Sequence, residues 1–429
     1  MRERNPEQSS PRWVAWFMIG TMSVLLGLGL NTVGACGPST GEEGTTEQST
    51  TETVADSGNE QTTTPDEPAA TKEDGPEGTT KEDGPEGTTK EDGPEVQPEQ
   101  PPKTGSGEVT GAKATASNTR APLDASPGPD GKTIFYTAYK QANAATTVPR
   151  DQKDPNENTV EKHDGALFSV PAAGGTAKEL AAGFWSPTGL VVSKDGSKVY
   201  VADSGSGSED KPDEVGAIYV VDAGGGTKTM VNGTKGYKPK SLDIVMEASE
   251  QLYFTGVDPS TNKPGVFRVA VGGGTVTTVY TPATGKDEFF QDPGGIAVTG
   301  DRTIYVAETI GGMGGNSSSI IQIKGGTATE FVMGIKVGYP AGVALSQDEK
   351  FILVSGIDRT KGTSVLYRID LSDAKKIEMI TKDIGDNTNS AGLHRAHNKD
   401  IYAWSNASWP DADGKNGGTV YLLNTKANP

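Results

Sequence analysis

The sequence predicts an all-β protein: a six-bladed β-propeller of four-stranded antiparallel blades, preceded by a disordered tether. Two observations predict the ring. Six times between Pro122 and Asn424 the chain repeats proline or serine, a Gly-led apolar run, a tight turn and a second apolar run, after which a third run and a Gly-Gly-Thr hairpin usually follow. The copies start at Pro122, Pro187, Pro239, Pro293, Pro340 and Ser390, the later ones roughly 50 residues apart, a period that marks a repeat architecture. The tether is predicted by composition: residues 37–105 hold almost no large apolar side chain.

Residues 1–36 read as a secretory signal. Arg2, Arg4 and Arg12 precede an apolar stretch from Trp13 to Leu30, and small residues lead into Cys36. Cys36 is the only cysteine, so no disulfide forms within the chain. Val33-Gly34-Ala35-Cys36 resembles the lipobox of bacterial lipoproteins. That resemblance implies lipidation of Cys36, a membrane partner through the lipid, and a folded part in the cell envelope. Gly37, standing where an Asp would direct inner-membrane retention in Gram-negative lipoproteins, implies the outer membrane. The alternative is an uncleaved signal anchor, since about 18 apolar residues just span a bilayer.

Residues 37–105 are rich in Thr, Glu, Gly, Pro, Asp and Gln, and contain a nine-residue repeat ending at Glu95, one copy of which is Thr79-Thr80-Lys81-Glu82-Asp83-Gly84-Pro85-Glu86-Gly87. A segment this polar cannot offset its chain entropy, and Gly-Pro in every unit forbids a helix. A flexible spacer of this length has a reach of about 45 Å, which its charge extends. The formal net charge of −18 sits mainly here: the tether has 18 acids against 4 bases, while the head has 37 against 32. A nearly balanced head with no basic stripe excludes nucleic acid as a partner.

Residues 106–429 form the head. In copy two, Pro187-Thr188-Gly189-Leu190-Val191-Val192 is the first strand and Lys198-Val199-Tyr200-Val201-Ala202-Asp203 the second. Asp195-Gly196 between them, like Asp130-Gly131 in copy one, is a hairpin signal. Ala217–Val221 is the third strand, and the turn Gly224-Gly225-Gly226-Thr227 returns an outer fourth strand. Copy six lacks that fourth strand: after Val420–Leu423 only Asn424–Pro429 remain. Because an open ring exposes an edge, the spare segment Gly107–Ser117 is predicted to supply it.

The repeated Pro-x-Gly, apolar run, Asp-Gly and Tyr-Val-Ala-(Asp/Glu) pattern resembles the NHL-type and TolB-like six-bladed propellers, an architecture shared by the gluconolactonase-like group. The motif marks blades and not a reaction. In such propellers the second-to-third-strand loops and the blade-to-blade loops surround the channel mouth. The residues read as ending each second strand are Ala138, Asp203, Gly256, Glu308, Gly356 and Ser405, with Asp292 near Glu308. The gluconolactonase-like group holds a divalent cation with one Glu, Asn side chains and an Asp, so Asp203, Asp292 and Glu308 are candidate ligands for calcium or another divalent cation. The first-blade Glu of that group has no counterpart near Pro122 and no Asn occupies the aligned positions, which disfavours a lactonase.

His394 and Arg395 interrupt an inner strand that is apolar in the other copies, which marks them as channel residues. His163 and His397 lie in polar segments. The acidic runs Asp411–Asn416 and Asp154–Asn158 fall short of a calcium loop. Trp185, Tyr237 and Tyr339, with Phe184, Phe289 and Phe290, precede blade-starting prolines, and Trp404 and Trp409 flank the last long loop. Together they suggest an aromatic rim for sugars or peptides, the alternative being packing between blades. The expectation is therefore a monomeric, surface-tethered, non-enzymatic module that binds an envelope protein, peptide or glycan through its loop-rich face. The alternatives are a divalent-metal-dependent hydrolase or lactonase acting in the channel, and a purely structural envelope protein.

Overall fold

Strand β1 (Val109–Pro127) belongs to two blades at once. Its first half pairs with the last strand of the chain, Val109 opposite Thr425 and Thr119 opposite Gly418. Its second half pairs with β2 (Thr133–Tyr139), Asp124 opposite Thr137 and Pro127 opposite Ile134. Blade 1 is completed by β3 (Gly165–Pro171) and β4 (Lys178–Phe184). This computed structural model describes residues 105–139, 165–205, 215–246, 249–283, 289–310, 317–358, 363–382, 389–397, 399–407 and 418–426. Cys36, the tether, His163, Trp409 and both acidic runs lie outside them.

Four further sheets follow in chain order, each of four antiparallel strands. Blade 2 has β5 (Pro187–Val192), β6 (Lys198–Gly205), β7 (Val215–Asp222) and the short β8 (Thr229–Met230). Blade 3 has β9 (Ser241–Met246), β10 (Glu250–Val257), β11 (Pro264–Ala270) and β12 (Thr277–Tyr280). Blade 4 has β13 (Pro293–Val298), β14 (Ile304–Ile310), β15 (Ser317–Lys324) and β16 (Thr327–Ile335). Blade 5 has β17 (Val337–Leu345), β18 (Phe351–Asp358), β19 (Thr363–Asp370) and β20 (Ile377–Lys382). Blade 6 has β21 (Asn389–Arg395), β22 (Tyr402–Ala407) and β23 (Gly418–Thr425), with the first half of β1 as its fourth strand. The protein is a six-bladed β-propeller closed by its N-terminal strand.

The core explains why the ring needs all six blades. Its buried apolar residues fall into six clusters, one at each junction between neighbours. No blade buries both faces alone, so each strand is apolar toward both neighbours, as in the run Val199, Tyr200, Val201 and Ala202.

The turns between first and second strands share one device. Asp195 Oδ1 accepts the Ser197 N–H at 2.9 Å and the Ser193 hydroxyl at 2.6 Å, and Gly196 takes φ +74°. Asp130, Asp301 and Asp348 repeat the carboxylate-to-backbone bond two residues on, at 2.9, 3.1 and 3.1 Å. Asn and Asp favour such turns because the side chain replaces a backbone partner. These turns define one end of the ring; the second-to-third-strand loops define the other.

Candidate functional site

The site is built from the inner strands, which line the channel, and from the loop end. Asp124 on β1 is 1% exposed. Its Oδ1 accepts the Ala125 N–H at 2.8 Å, and its Oδ2 accepts the Leu190 N–H of blade 2 at 2.7 Å. The same Oδ2 lies 2.8 Å from His394 Nε2 of blade 6. One carboxylate therefore joins three blades. A β-carbon on Gly392 would fall 1.4 Å from Asp124 Oδ1, so glycine there makes room for the acid.

Asp243 on β9 repeats the arrangement one pair of blades further round. Its Oδ1 accepts the Ile244 N–H at 2.8 Å and its Oδ2 the Val298 N–H of blade 4 at 2.7 Å. Burial raises the Asp243 pKa, against the opposing charges of Arg395 and His394. Burial alone would lower the His394 pKa, but the charge and hydrogen bond of Asp124, with the charge of Asp243, outweigh it, and the net shift is upward. Arg395 turns the other way: Nη1 donates to the Ser346 carbonyl of blade 5 at 2.7 Å, and Nη2 lies 3.9 Å from Glu349. The channel thus holds an alternating acid and base network, Asp124, His394, Asp243 and Arg395.

At the loop end, Asp203 and Glu308 play equivalent parts. Asp203 Oδ1 accepts the Ser186 N–H at 2.8 Å and Oδ2 the Trp185 N–H at 2.9 Å, just where the chain enters β5. Glu308 Oε1 accepts the N–H groups of Gln291 and Asp292 at the entry to β13. Both fasten the approach to the next first strand. They differ at the remaining oxygen: Glu308 Oε2 is buried with no hydrogen-bond partner. Burial, with the charge of Asp292 beside it, pushes the Glu308 pKa up to about 7, against the hydrogen bonds and Lys240 that favour its charge. Asp292 forms an ion pair with Lys240 of blade 3.

Several expectations need correction. The blade 6 equivalent of Asp203 and Glu308 is Asn406, not Ser405: Ser390 opposes Asn406 as Pro187 opposes Asp203 and Pro293 opposes Glu308. An Asn therefore does occupy an aligned position. An acid also stands near Pro122, namely Asp124. Among the three proposed metal ligands, Asp292 lies beside Glu308, whereas Asp203 is two blades away and occupied in its own loop. Among the described residues no group of three His, Cys, Asp or Glu side chains is placed to hold a metal ion.

The aromatic residues divide in favour of packing. Trp404 is 2% exposed and stacks on Tyr421 at 5.1 Å inside blade 6, so it is no part of a rim. Tyr237 sets its ring edge-on to Phe254 and Phe267, at 5.8 and 4.9 Å, between blades 2 and 3. Phe184 and Phe290 are fully buried. Trp185 is half-buried at the blade 2 entry, where its backbone N–H meets Asp203, and Tyr339 lies within β17.

A scan of protein-family models and a search of curated proteins find no match. Solved structures do resemble the chain. Regucalcin from Agrobacterium tumefaciens, described as a calcium-binding protein, aligns at 16% identity and TM-score 0.47, over 75% of this chain and 95% of that one. A putative TolB from Agrobacterium tumefaciens aligns at 12% identity and TM-score 0.42, over 70% and 89%. TolB from Acinetobacter baumannii aligns at 13% identity and TM-score 0.41, over 58% of this chain, which spans about half (52%) of that protein. The likeness is one of fold.

Proposed function

We propose that this protein is an envelope-located, lipid-anchored recognition module that binds a protein, peptide or glycan through the loop end of its propeller. The observation that carries this reading is the asymmetry of the two ends. The second and third strands of blades 1, 2, 4 and 6 are joined by residues 140–164, 206–214, 311–316 and 408–417, and the strand ends they connect lie on one end of the ring. The opposite end has short, carboxylate-braced turns and receives the chain from the tether: Gly105 accepts the Asp348 N–H at 2.8 Å, Arg368 Nε donates to Ser106 at 2.9 Å, and the Gly107 N–H bonds Asp400 at 2.7 Å. Residues 105–107 enter the ring at the end opposite those strand ends, and long connections on a rigid scaffold suit recognition. The anchor itself rests on the sequence around Cys36.

The test is binding of the full chain to immobilised peptidoglycan fragments, oligosaccharides and envelope proteins, with and without residues 206–214. Binding that depends on the loop supports the reading; binding insensitive to every such excision overturns it. Membrane partitioning and acyl mass that persist without Cys36 would remove the lipid anchor. A second reading, a metal-dependent hydrolase in the channel, is favoured by the unpartnered Glu308 Oε2. It predicts a stoichiometric divalent cation that Glu308→Ala abolishes together with ester or lactone turnover.

A further inference from the structure

The six blade junctions are unequal. Between blades 4 and 5 the buried cluster contains Tyr305, Ile320, Val332, Ile335, Leu345, Ile352 and other branched side chains. Between blades 6 and 1, where the ring closes, five of the nine buried members are alanine: Ala116, Ala125, Ala138, Ala172 and Ala403. Alanine buries little area, so hydrophobic stabilisation of this seam is the weaker of the two. The seam instead carries the His394–Asp124 pair, both members being almost wholly buried, at 5% and 1% exposure. It also carries the exchanged half of β1.

We propose that His394 and Asp124 form a proton-operated latch on the closing seam, shut while the imidazole is charged and released when it loses its proton. The groups facing His394 are Asp124 from β1 and Asp243 from β9; on its own strand Arg395 is turned toward Ser346 and Glu349 of blade 5. Of the other strands packed against β21, β5 carries no ionisable side chain, β17 carries Tyr339, β18 the buried Asp358, β19 Tyr367, Arg368 and Asp370, and β22 Tyr402, whose hydroxyl donates to Asp400 at 2.7 Å. With the imidazole charged, the two acids are balanced across the channel by His394 and Arg395. Without that proton, the Asp124 carboxylate, 1% exposed, loses the cation 2.8 Å from it, and the alanine-rich seam has little apolar surface to hold it shut. The His394 pKa is raised on folding, so the latch contributes fully below the ordinary value of about 6.5 and its contribution is lost as the pH rises through the higher, folded value.

The test is amide hydrogen exchange on the full chain at pH values from 6 to 9, corrected for intrinsic rates, with imidazole NMR following His394 in parallel. The expected result is that protection of residues 109–119 falls about tenfold relative to β13 and β17 as His394 titrates. In His394→Gln, which keeps a neutral donor to Asp124, that relative change should vanish. Seam and reference strands losing protection together, or a His394→Gln protein keeping the wild-type pH response, overturns the latch. Should His394→Gln fail to fold, the wild type decides alone: seam exchange that does not follow the His394 titration overturns the proposal, and exchange that does supports it.

Discussion

The two ends of the ring use the same chemistry at different range. At the turn end, Asp130, Asp195, Asp301 and Asp348 brace backbone only two residues away, so each brace closes within its own turn. The accepted hydrogen bonds hold the Asp195 carboxyl at about 2, well below its usual range, and it ionises without conflict. At the loop end, Asp203 and Glu308 reach across to backbone 16 to 18 residues earlier in the chain, and they lie buried. Short-range bracing leaves no freedom for variation. Bracing from inside the ring frees the loop itself, so the same fold can hold a fixed end and a variable one.

The comparison can be broken from the turn end first. Deleting residues 105–120 removes the tether clamp and the fourth strand of blade 6; cooperative thermal unfolding should disappear, and a stable, soluble truncation would refute the closure. Next is Asp400, whose carboxylate accepts from Gly107, Gln347 and Tyr402, at 2.7, 2.8 and 2.7 Å. Asp400→Ala orphans two backbone donors at about 1–3 kcal/mol each and leaves the Tyr402 hydroxyl only the Leu345 carbonyl at 3.1 Å, so chemical denaturation should show a loss of about 2 kcal/mol or more.

At the loop end, Glu308 sharpens the contrast through pH. Its pKa rises from 4.5 unfolded to about 7 folded, so the native state binds the proton more tightly. The contribution of Glu308 to stability should therefore be fully present below 4.5, fall as the pH rises to about 7 and be absent above it, a change on the order of 3 kcal/mol at 1.36 kcal/mol per pH unit. In Glu308→Gln, denaturation curves should lose that slope. The smallest effect is expected for excising residues 206–214 and joining Gly205 to Val215 with a short Gly-Ser linker. The melting profile should change by no more than about 0.5 kcal/mol, because loop length costs little, while ligand binding is lost.

The blades were legible because their signals are local and repeated. Apolar alternation, Asp-Gly turns and the missing fourth strand of copy six each state a packing need that only one architecture meets. The channel was half legible. Arg395 stood out against apolar counterparts, and His394 against all of its counterparts but Ser126 and Asp243, whereas Asp124 hid in the motif itself, filling the slot where four other copies carry glycine. Asp243 sits where His394 sits three blades later, a correspondence that requires the strand register. Register also moved the blade 6 equivalent from Ser405 to Asn406, since a shift of one residue exchanges the faces of a strand. The aromatic residues misled for a related reason: position before a proline, as for Phe290, or beside a loop, as for Trp404, does not say which way a ring turns, and both turned inward.

The strand shared by blades 6 and 1 also sets an order of events. Residues 109–119 leave the ribosome long before their partner, residues 418–425. The ring can shut only after Thr425 has been made, and joining such distant segments makes closure a late and slow step. A chain halted before Thr425 keeps an open strand edge and an unfilled sixth blade, a form open to proteases and to pairing with other chains. The closing strand thus acts as a check on the ring, conferring resistance to degradation only on copies that carry the whole of β23.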